Sequence, residues 1–372
     1  MKKTKIAIIG TRGIPAAYGG FETFAEEVAL RLVEKKIDTI VIGDASNSFV
    51  ETNYKGVQIT NSKHSKPNNP LAFYYDSLKM ARQEGATFVL MCGVGGSLVI
   101  PFFFNKGMII AVNPDGLGFK RDKYVWWKKA VFFSQYLMAS IITKHIVCDS
   151  VGIKSYYQNV FKRRKNLSVI EYGTYLNPFC EEGIDLNKAL SKFDYEYKSS
   201  EFHLVVSRLE PENNVETIIK GYLASEKKYP LVIVGNTNTK HAKDLVKYQN
   251  KNIHFMEGIY NKEQLMTLRA ASLTYLHGHS VGGTNPSLLE AMGSKNCCIC
   301  HDNEFNREVI QNSGLFFSTP LEVSNHIVTM EQEKNESELM NYKNGVYNRA
   351  INFYNWNRIT NDYLKLAQSF SN

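Results

Sequence analysis

Residues 277–293, HGHSVGGTNPSLLEAMG, combine the groups that would hold an anionic ligand. A glycine pair, Gly282 and Gly283, leads into Thr284, Asn285 and Pro286. That order fits a tight turn, a capping side chain and a proline in the first helical turn. Unpaired backbone N–H groups at a helix start point outward together and the helix dipole acts on the same anion, so a phosphate suits this place. Glu290, one turn further on, is set to accept a hydrogen bond from a sugar hydroxyl of that ligand. A plain capped strand-to-helix connection has the same outline, and the stretch alone does not separate the two.

Presenting such a turn needs a strand before it and a helix after it. Residues 272–276 are a short apolar run of strand type, and Leu288, Leu289 and Met292 recur at helical spacing. The amino end repeats the arrangement. Residues 5–10 (KIAIIG) read as a buried parallel strand, 11–20 (TRGIPAAYGG) as a loop and 21–34 as a helix. At the helix entrance Gly19 and Gly20 let a diphosphate or sugar approach the backbone. The Gly10-x-x-Gly13 spacing is not a dinucleotide fingerprint, and no Walker lysine is present.

Further strands are expected at 39–42, 57–60, 88–91, 108–112, 145–148 and 167–170, with polar loops at 92–97 and 113–122. In the second loop Asp115 could orient or deprotonate an acceptor hydroxyl, although Asp-Gly is also a common turn pair. Residues 171–179 read as a linker. A second series follows: strands 202–206, 231–234, 253–256 and 297–300, and helices 215–224, 241–248, 262–270, 305–310 and 356–369. The fold class is therefore α/β, with two Rossmann-like domains and the cleft between them as the natural site. The expected boundaries are 1–173 and 174–353, with 354–372 a helix crossing back to the first domain.

The 372 residues, 44% of them hydrophobic, can bury two cores. The longest apolar run, 98–104, is far too short to cross a bilayer and contains Pro101. The start lacks the pattern of a secretory signal, so a cytoplasmic location is expected. Six cysteines are scattered, and Cys297, Cys298 and Cys300 lack zinc-ligand spacing, so they read as reduced core thiols. Residues 1–175 hold 24 Lys and Arg against 13 Asp and Glu, a formal +11, leaving 20 against 23, or −3, for the rest. A basic first half implies an anionic partner. No aromatic RNA-binding motif or zinc-finger spacing accompanies the charge, which argues against nucleic acid. Lys120, Arg121, Trp126 and Trp127 instead suit the headgroup layer of an anionic membrane, while 131–142 is expected to be buried.

Ser207-Arg208-Leu209, Glu212 and the helix beginning near Val215 resemble the GRLxxEKG segment of retaining GT-B glycosyltransferases of family 4, and LLEAMG resembles the nucleotide-ribose motif of the same family. GTRGIPAAYGGFETF, NPDGLGFKRDKY and HSVGGTNPSLLEAM are more specifically similar to bacterial capsule and cell-wall rhamnosyltransferases. The resemblance implies a GT-B fold with an acceptor-binding first domain and a nucleotide-sugar-binding second domain. It implies transfer of rhamnose from dTDP-L-rhamnose to a lipid-diphosphate-linked glucose or N-acetylglucosamine, by a peripheral enzyme at the inner face of the cell membrane. Arg208 then neutralises the donor diphosphate, Glu290 binds the ribose, Gly19 and Gly20 face the diphosphate, and Gly258, Ile259 and Tyr260 lie against the base. Asp115 occupies the place of a polar catalytic-site residue.

Two positions depart from the family pattern. Asn213 stands where a lysine is usual, and Gly282 stands where a glutamate usually touches the donor sugar. Donor recognition then shifts to Gly283, Thr284, Asn285 and His279, whose imidazole can donate to a phosphate or sugar oxygen. No carboxylate cluster has magnesium-binding spacing, so no metal or other cofactor is expected. A glucosyl- or galactosyltransferase using a UDP-sugar is the alternative donor reading. From another class, the two departures also fit a non-catalytic sugar-nucleotide-binding protein.

Overall fold

The computed structural model describes residues 4–16, 19–49, 51–104, 107–120, 124–176, 186, 190, 196–259, 261–332 and 335–370. The chain divides into two compact units, the first comprising Met1–Lys120, Tyr124–Gly173 and Trp356–Asn372, the second Thr174–Asn355.

The first unit is built on β1 (Lys5–Ile9), β2 (Asp38–Gly43), β3 (Asn53–Tyr54), β4 (Val57–Asn61), β5 (Phe88–Cys92), β6 (Ile109–Asn113), β7 (His145–Cys148) and β8 (Leu167–Val169). Their order is β3-β4-β2-β1-β5-β6-β7-β8, parallel apart from the β3/β4 pair. The chain starts in the middle at β1, works outward through β2, then crosses to β5, so the order reverses between β1 and β5. Ligands of open α/β sheets bind beyond the carboxyl ends of strands at such a reversal. The apolar runs of β1 and β5 are buried, as strands covered on both faces by helices must be. Those helices are α1 (Gly20–Glu34), α2 (Pro70–Gln83), α3 (Trp126–Ile142) and α4 (Val151–Asn159). On α1, Phe24, Ala25, Val28, Ala29 and Leu32 form the buried stripe. Asn69 caps α2 by accepting from the Ala72 N–H, and Pro70 takes the first helical position.

The second unit contains β9 (His203–Val206), β10 (Leu231–Val234), β11 (Ile253–Met256), β12 (Thr274–His277), β13 (Cys297–His301) and β14 (Leu315–Phe317). They run parallel in the order β11-β10-β9-β12-β13-β14, so this sheet reverses between β9 and β12. Helices α5 (Val215–Ala224), α6 (Lys240–Val246), α7 (Lys262–Ala271), α8 (Pro286–Gly293), α9 (Glu304–Ile310), α10 (Pro320–Met330) and α11 (Glu336–Phe353) complete the unit. Val205, Ile218, Ile219, Ile233, Leu276, Ile299, Val323 and Ile327 form one apolar cluster. Cys297, Cys298 and Cys300 are buried in β13 as free thiols. At the other end of the sheet from the loops discussed below, buried His203 bonds Thr274 Oγ1 at 2.8 Å and Glu331 at 2.9 Å. Glu331 also accepts from the backbone of Lys228 and Tyr229, tying α10 to the start of β10.

The last helix, α12 (Trp356–Gln368), belongs to the first unit. Its Trp356 and Tyr363 rings pack on Phe24 of α1, and the Tyr363 hydroxyl accepts from Asn113 at the end of β6. Removing the Phe24 ring from water contributes roughly 2–3 kcal/mol. One expectation is overturned in this unit. Residues 131–142 are not a buried segment: Val131, Phe133, Leu137 and Ile141 of α3 are exposed, and only Tyr136, Ala139 and Ser140 of its described side chains are buried. The apolar pattern of α3 is continuous around the helix, so sequence periodicity gave no face to assign. Among the described residues, no helix is long and apolar enough to cross a membrane.

Candidate functional site

The two motifs of the second half, 70 residues apart in the chain, meet at the carboxyl ends of neighbouring β9 and β12. The loop after β9 ends in a 3-10 turn, Pro211–Asn213, followed by Asn214 in the left-handed conformation. The Asn214 side chain donates to the Gly278 carbonyl at 2.9 Å, and Ser280 donates to the Glu212 carbonyl through its N–H at 3.0 Å and its hydroxyl at 2.8 Å. Gly278 is required because a Cβ there would overlap the Asn213 carbonyl oxygen. Asn213 is buried and gives its side-chain amide to the Arg208 carbonyl at 2.6 Å, so it braces this turn. Arg208 is exposed, and its guanidinium forms no ion pair among the described residues.

Helix α8 begins in this corner. Asn285 caps it by accepting from the Ser287 N–H at 2.9 Å, Pro286 follows, and the first turn carries no acidic residue. Gly282, Gly283 and Asn285 are partly exposed, while Thr284 is buried. Ser287 anchors the first turn to β9, its hydroxyl donating to the Val206 carbonyl at 3.0 Å and lying 2.6 Å from the Tyr275 hydroxyl. Glu290 is held by Arg269 of α7 at 2.7 Å, the arginine side chain being 2% exposed and the glutamate 32%. Arg269 also donates to the Ser287 hydroxyl. One carboxylate is thereby fixed in direction while a third of its surface stays open.

Tyr275, His277 and His279 form a ladder on one face of β12 and the loop beyond it. The rings of His277 and His279 stack at 4.3 Å and 12°, and Tyr275 lies 5.9 Å from His277 on its other side. Burial first, then the charges of His279, Arg269 and His301, hold His277 well below the ordinary histidine value, so it is neutral. His279 is half-buried, and its carbonyl is clamped by the side-chain amides of Asn303 and Asn306 at the start of α9. Gly258 and Ile259 follow β11 at the same edge of this sheet and are partly exposed. Tyr260 lies outside the described residues.

In the first unit the loop after β1 is organised by carboxylates of α1. Glu22 accepts from the Arg12 N–H at 2.9 Å and Glu26 from the Ala16 N–H at 2.6 Å. Gly10, at φ 88°, presses against the Cys92 backbone where a Cβ would not fit, and Lys66 donates to the Gly10 carbonyl. Gly19 caps α1 at φ 112° beside the Glu22 carboxylate. That helix start thus supplies its own anion, which leaves less positive potential for a phosphate than at α8. Asp115 sits beyond β6 at φ 63°, its N–H donating to Asn113 Oδ1 at 2.9 Å. The Tyr136 hydroxyl fastens the same turn by donating to Gly116 and accepting from the Gly118 N–H. The Asp115 carboxylate is half-exposed and has no hydrogen bond among the described residues. Lys120 is exposed with its ammonium 4.7 Å from the Tyr156 ring centre, and Trp126 and Trp127 are exposed. Arg121 lies outside the described residues.

Arg269, Tyr275, Ser287, Glu22, Glu26 and Lys66 were not singled out by motif. For Arg269 a signal existed, since an arginine on the apolar side of LMTLRAAS needs a buried partner.

Solved structures share this two-domain α/β fold. Sucrose-phosphate synthase from Thermosynechococcus elongatus superposes with a TM-score of 0.81 at 14% identity, covering 99% of each chain. A glycosyltransferase from Rickettsia africae gives 0.75 at 15% identity, again over 99% of each chain. HepE from Anabaena, solved with UDP, gives 0.77 at 14% identity, covering 98% of this chain and 100% of that one. No curated protein matches the sequence. The fold is GT-B. Residues 188–344 match the family described as Glycosyl transferases group 1, and residues 3–175 match a domain of unknown function, DUF1972.

Proposed function

We propose that the protein is a glycosyltransferase using a nucleotide sugar and, more finely, that it moves L-rhamnose from dTDP-L-rhamnose to a lipid-diphosphate-linked glucose or N-acetylglucosamine. The reaction retains configuration, needs no metal and takes place at the inner face of the cell membrane. The observation that carries this reading is the corner between β9 and β12. There Arg208, exposed and without an ion pair among the described residues, and a helix start free of acidic residues share one edge with a carboxylate pinned by Arg269. A diphosphate at the start of α8 meets backbone donors, and Arg208 stabilises the charge that grows on it as it leaves. Glu290 accepts from the ribose hydroxyls, and His279 donates to a phosphate or sugar oxygen.

In the transfer, the bond from the anomeric carbon to the phosphate oxygen breaks. The acceptor hydroxyl bonds to that carbon on the same face, and its proton passes to the departing phosphate. Asp115 orients the acceptor hydroxyl. The nucleotide sugar is supported by the group 1 domain and by HepE, solved with UDP and with UDP-glucose. The rhamnosyl choice rests on the resemblance of the three sequence stretches and on Gly282, since a deoxy sugar offers fewer hydroxyls to grip. HepE with UDP-glucose also favours a second reading, a UDP-sugar donor. The test is transfer from dTDP-L-rhamnose and from UDP-sugars to a synthetic lipid-diphosphate sugar, with the linkage read by NMR. Transfer from a UDP-sugar alone would replace the rhamnosyl reading, and nucleotide binding without any transfer would leave a binding protein.

A further inference from the structure

The large exposed apolar side chains of this protein are concentrated in one part of the first unit. Leu98, Phe102 and Phe104 lie on or just after a 3-10 turn, Ser97–Phe103, and Trp126, Trp127, Val131 and Ile141 lie on α3, which packs along that turn. Phe102 is 67% exposed, Trp126 81% and Ile141 67%, values that no folded interior requires. Tyr75 of α2 joins them, its ring 6.1 Å from Phe102 and 5.4 Å from Phe103. Beneath Tyr75 opens a pocket of about 430 Å³ between the loop after β4, the first turns of α2 and the 3-10 turn. Lys63, His64 and Lys79 line it together with Leu71, Tyr75 and Val99. Its one carboxylate, Asp76, is engaged by the Ser62 hydroxyl at 2.8 Å. Neither lysine forms an ion pair among the described residues, and the first turn of α2 carries no acidic side chain.

From these observations we infer that this face lies on an anionic phospholipid bilayer, with one lipid phosphate entering the Lys63/Lys79 pocket and Phe102, Phe104, Trp126 and Trp127 reaching into the acyl boundary. The charge decides the occupant. A protein interface or a second copy would need only the apolar surface, whereas unpaired lysines opening beside exposed aromatics match phosphates above a hydrocarbon layer. The exposed side chains of α3, Trp126, Trp127, Val131 and Ile141 among them, give that layer apolar contact. The inference deepens the membrane side of the reading above and rests on it, and it moves the contact from the single segment 120–129 to a surface formed by three elements.

The experiment sediments the full chain with vesicles of phosphatidylcholine alone and of phosphatidylcholine mixed with phosphatidylglycerol. It follows tryptophan quenching by brominated lipid and, separately, nucleotide binding by calorimetry. Wild type should bind the mixed vesicles, lose binding as salt rises, and show quenched tryptophan. K63Q/K79Q should weaken vesicle partition by roughly tenfold or more. F102S, a change at an exposed position, should weaken it while circular dichroism stays unchanged. Equal partition of K63Q/K79Q and wild type would overturn the headgroup pocket. Absence of quenching, or self-association lost in F102S without vesicle binding, would overturn the bilayer in favour of a protein contact. Failure of wild type to bind any nucleotide would instead strike the transferase reading and leave the vesicle result standing.

Discussion

The guanidinium of Arg269, on α7, lies 2.7 Å from the carboxylate of Glu290, on α8, and only the glutamate reaches the surface. Arg269 is therefore the fixed member, and Glu290 is the group it presents. Replacing Glu290 by Gln keeps the shape and removes the charge. Nucleotide affinity in calorimetry should fall roughly tenfold, the worth of one charge-assisted hydrogen bond. Arg269→Met strips a buried partner from the glutamate and should cost about 3 kcal/mol in urea unfolding, besides weakening nucleotide binding. If Arg269→Met bound nucleotide like wild type, Glu290 would not depend on it for its direction.

Arg208 should behave in the opposite way. Its side chain is exposed and forms no ion pair among the described residues, so Arg208→Ala should leave the urea midpoint unchanged within error. If it stabilises the leaving diphosphate, turnover should drop by roughly a hundredfold or more. A variant with full turnover would remove the diphosphate role.

Gly282 resists substitution through its backbone. Its φ of 150° lies in a region that side chains with a Cβ rarely adopt, although the space around it is open. Gly282→Glu and Gly282→Ala should therefore be destabilised alike, by about 1 kcal/mol, because the backbone sets the cost. Gly278→Ala should cost more, since its Cβ would meet the Asn213 carbonyl and part the two loops. Equal unfolding midpoints for Gly278→Ala and Gly282→Ala would contradict this division between clash and strain.

Most strands of both sheets were legible in the sequence because parallel strands buried on both faces leave continuous apolar runs, whereas the short edge strands β3 and β14, only partly buried or exposed, leave none and were not read. The corner at α8 was legible because a glycine pair, a cap and a proline are local signals. What carries Glu290 was not, since Arg269 meets it only after α7 and α8 have packed. Glu22 and Glu26 looked like ordinary first-turn and second-turn acids, and only the folded loop shows them holding Arg12 and Ala16. The exposure of α3 was hidden for the converse reason. An apolar helix without a polar stripe reads as core, and its surface position depends on what the rest of the sheet leaves uncovered.

Acid should unfold this protein through histidines before it reaches the ion-paired carboxylates. Burial, aided by Arg163, holds His145 down to about 4, while His254 and His277 are also lowered, each chiefly by burial. An unfolded histidine titrates near 6.5, so below that pH the unfolded chain takes up protons that the native state refuses. The contribution of these histidines is complete above 6.5 and is lost as pH falls toward 4. Asp302, lowered by its hydrogen bond to Arg307, acts in a separate window, its contribution fading only below its ordinary 3.8. Urea midpoints measured from about pH 7 down to about pH 4 should therefore decline, and His145→Gln, which cannot take up a proton, should flatten that decline. Its neutral side chain can still bond the Ser168 hydroxyl that His145 meets at 3.0 Å. A variant whose midpoint fell as steeply as that of wild type would show that the His145 imidazole is not held neutral by the fold.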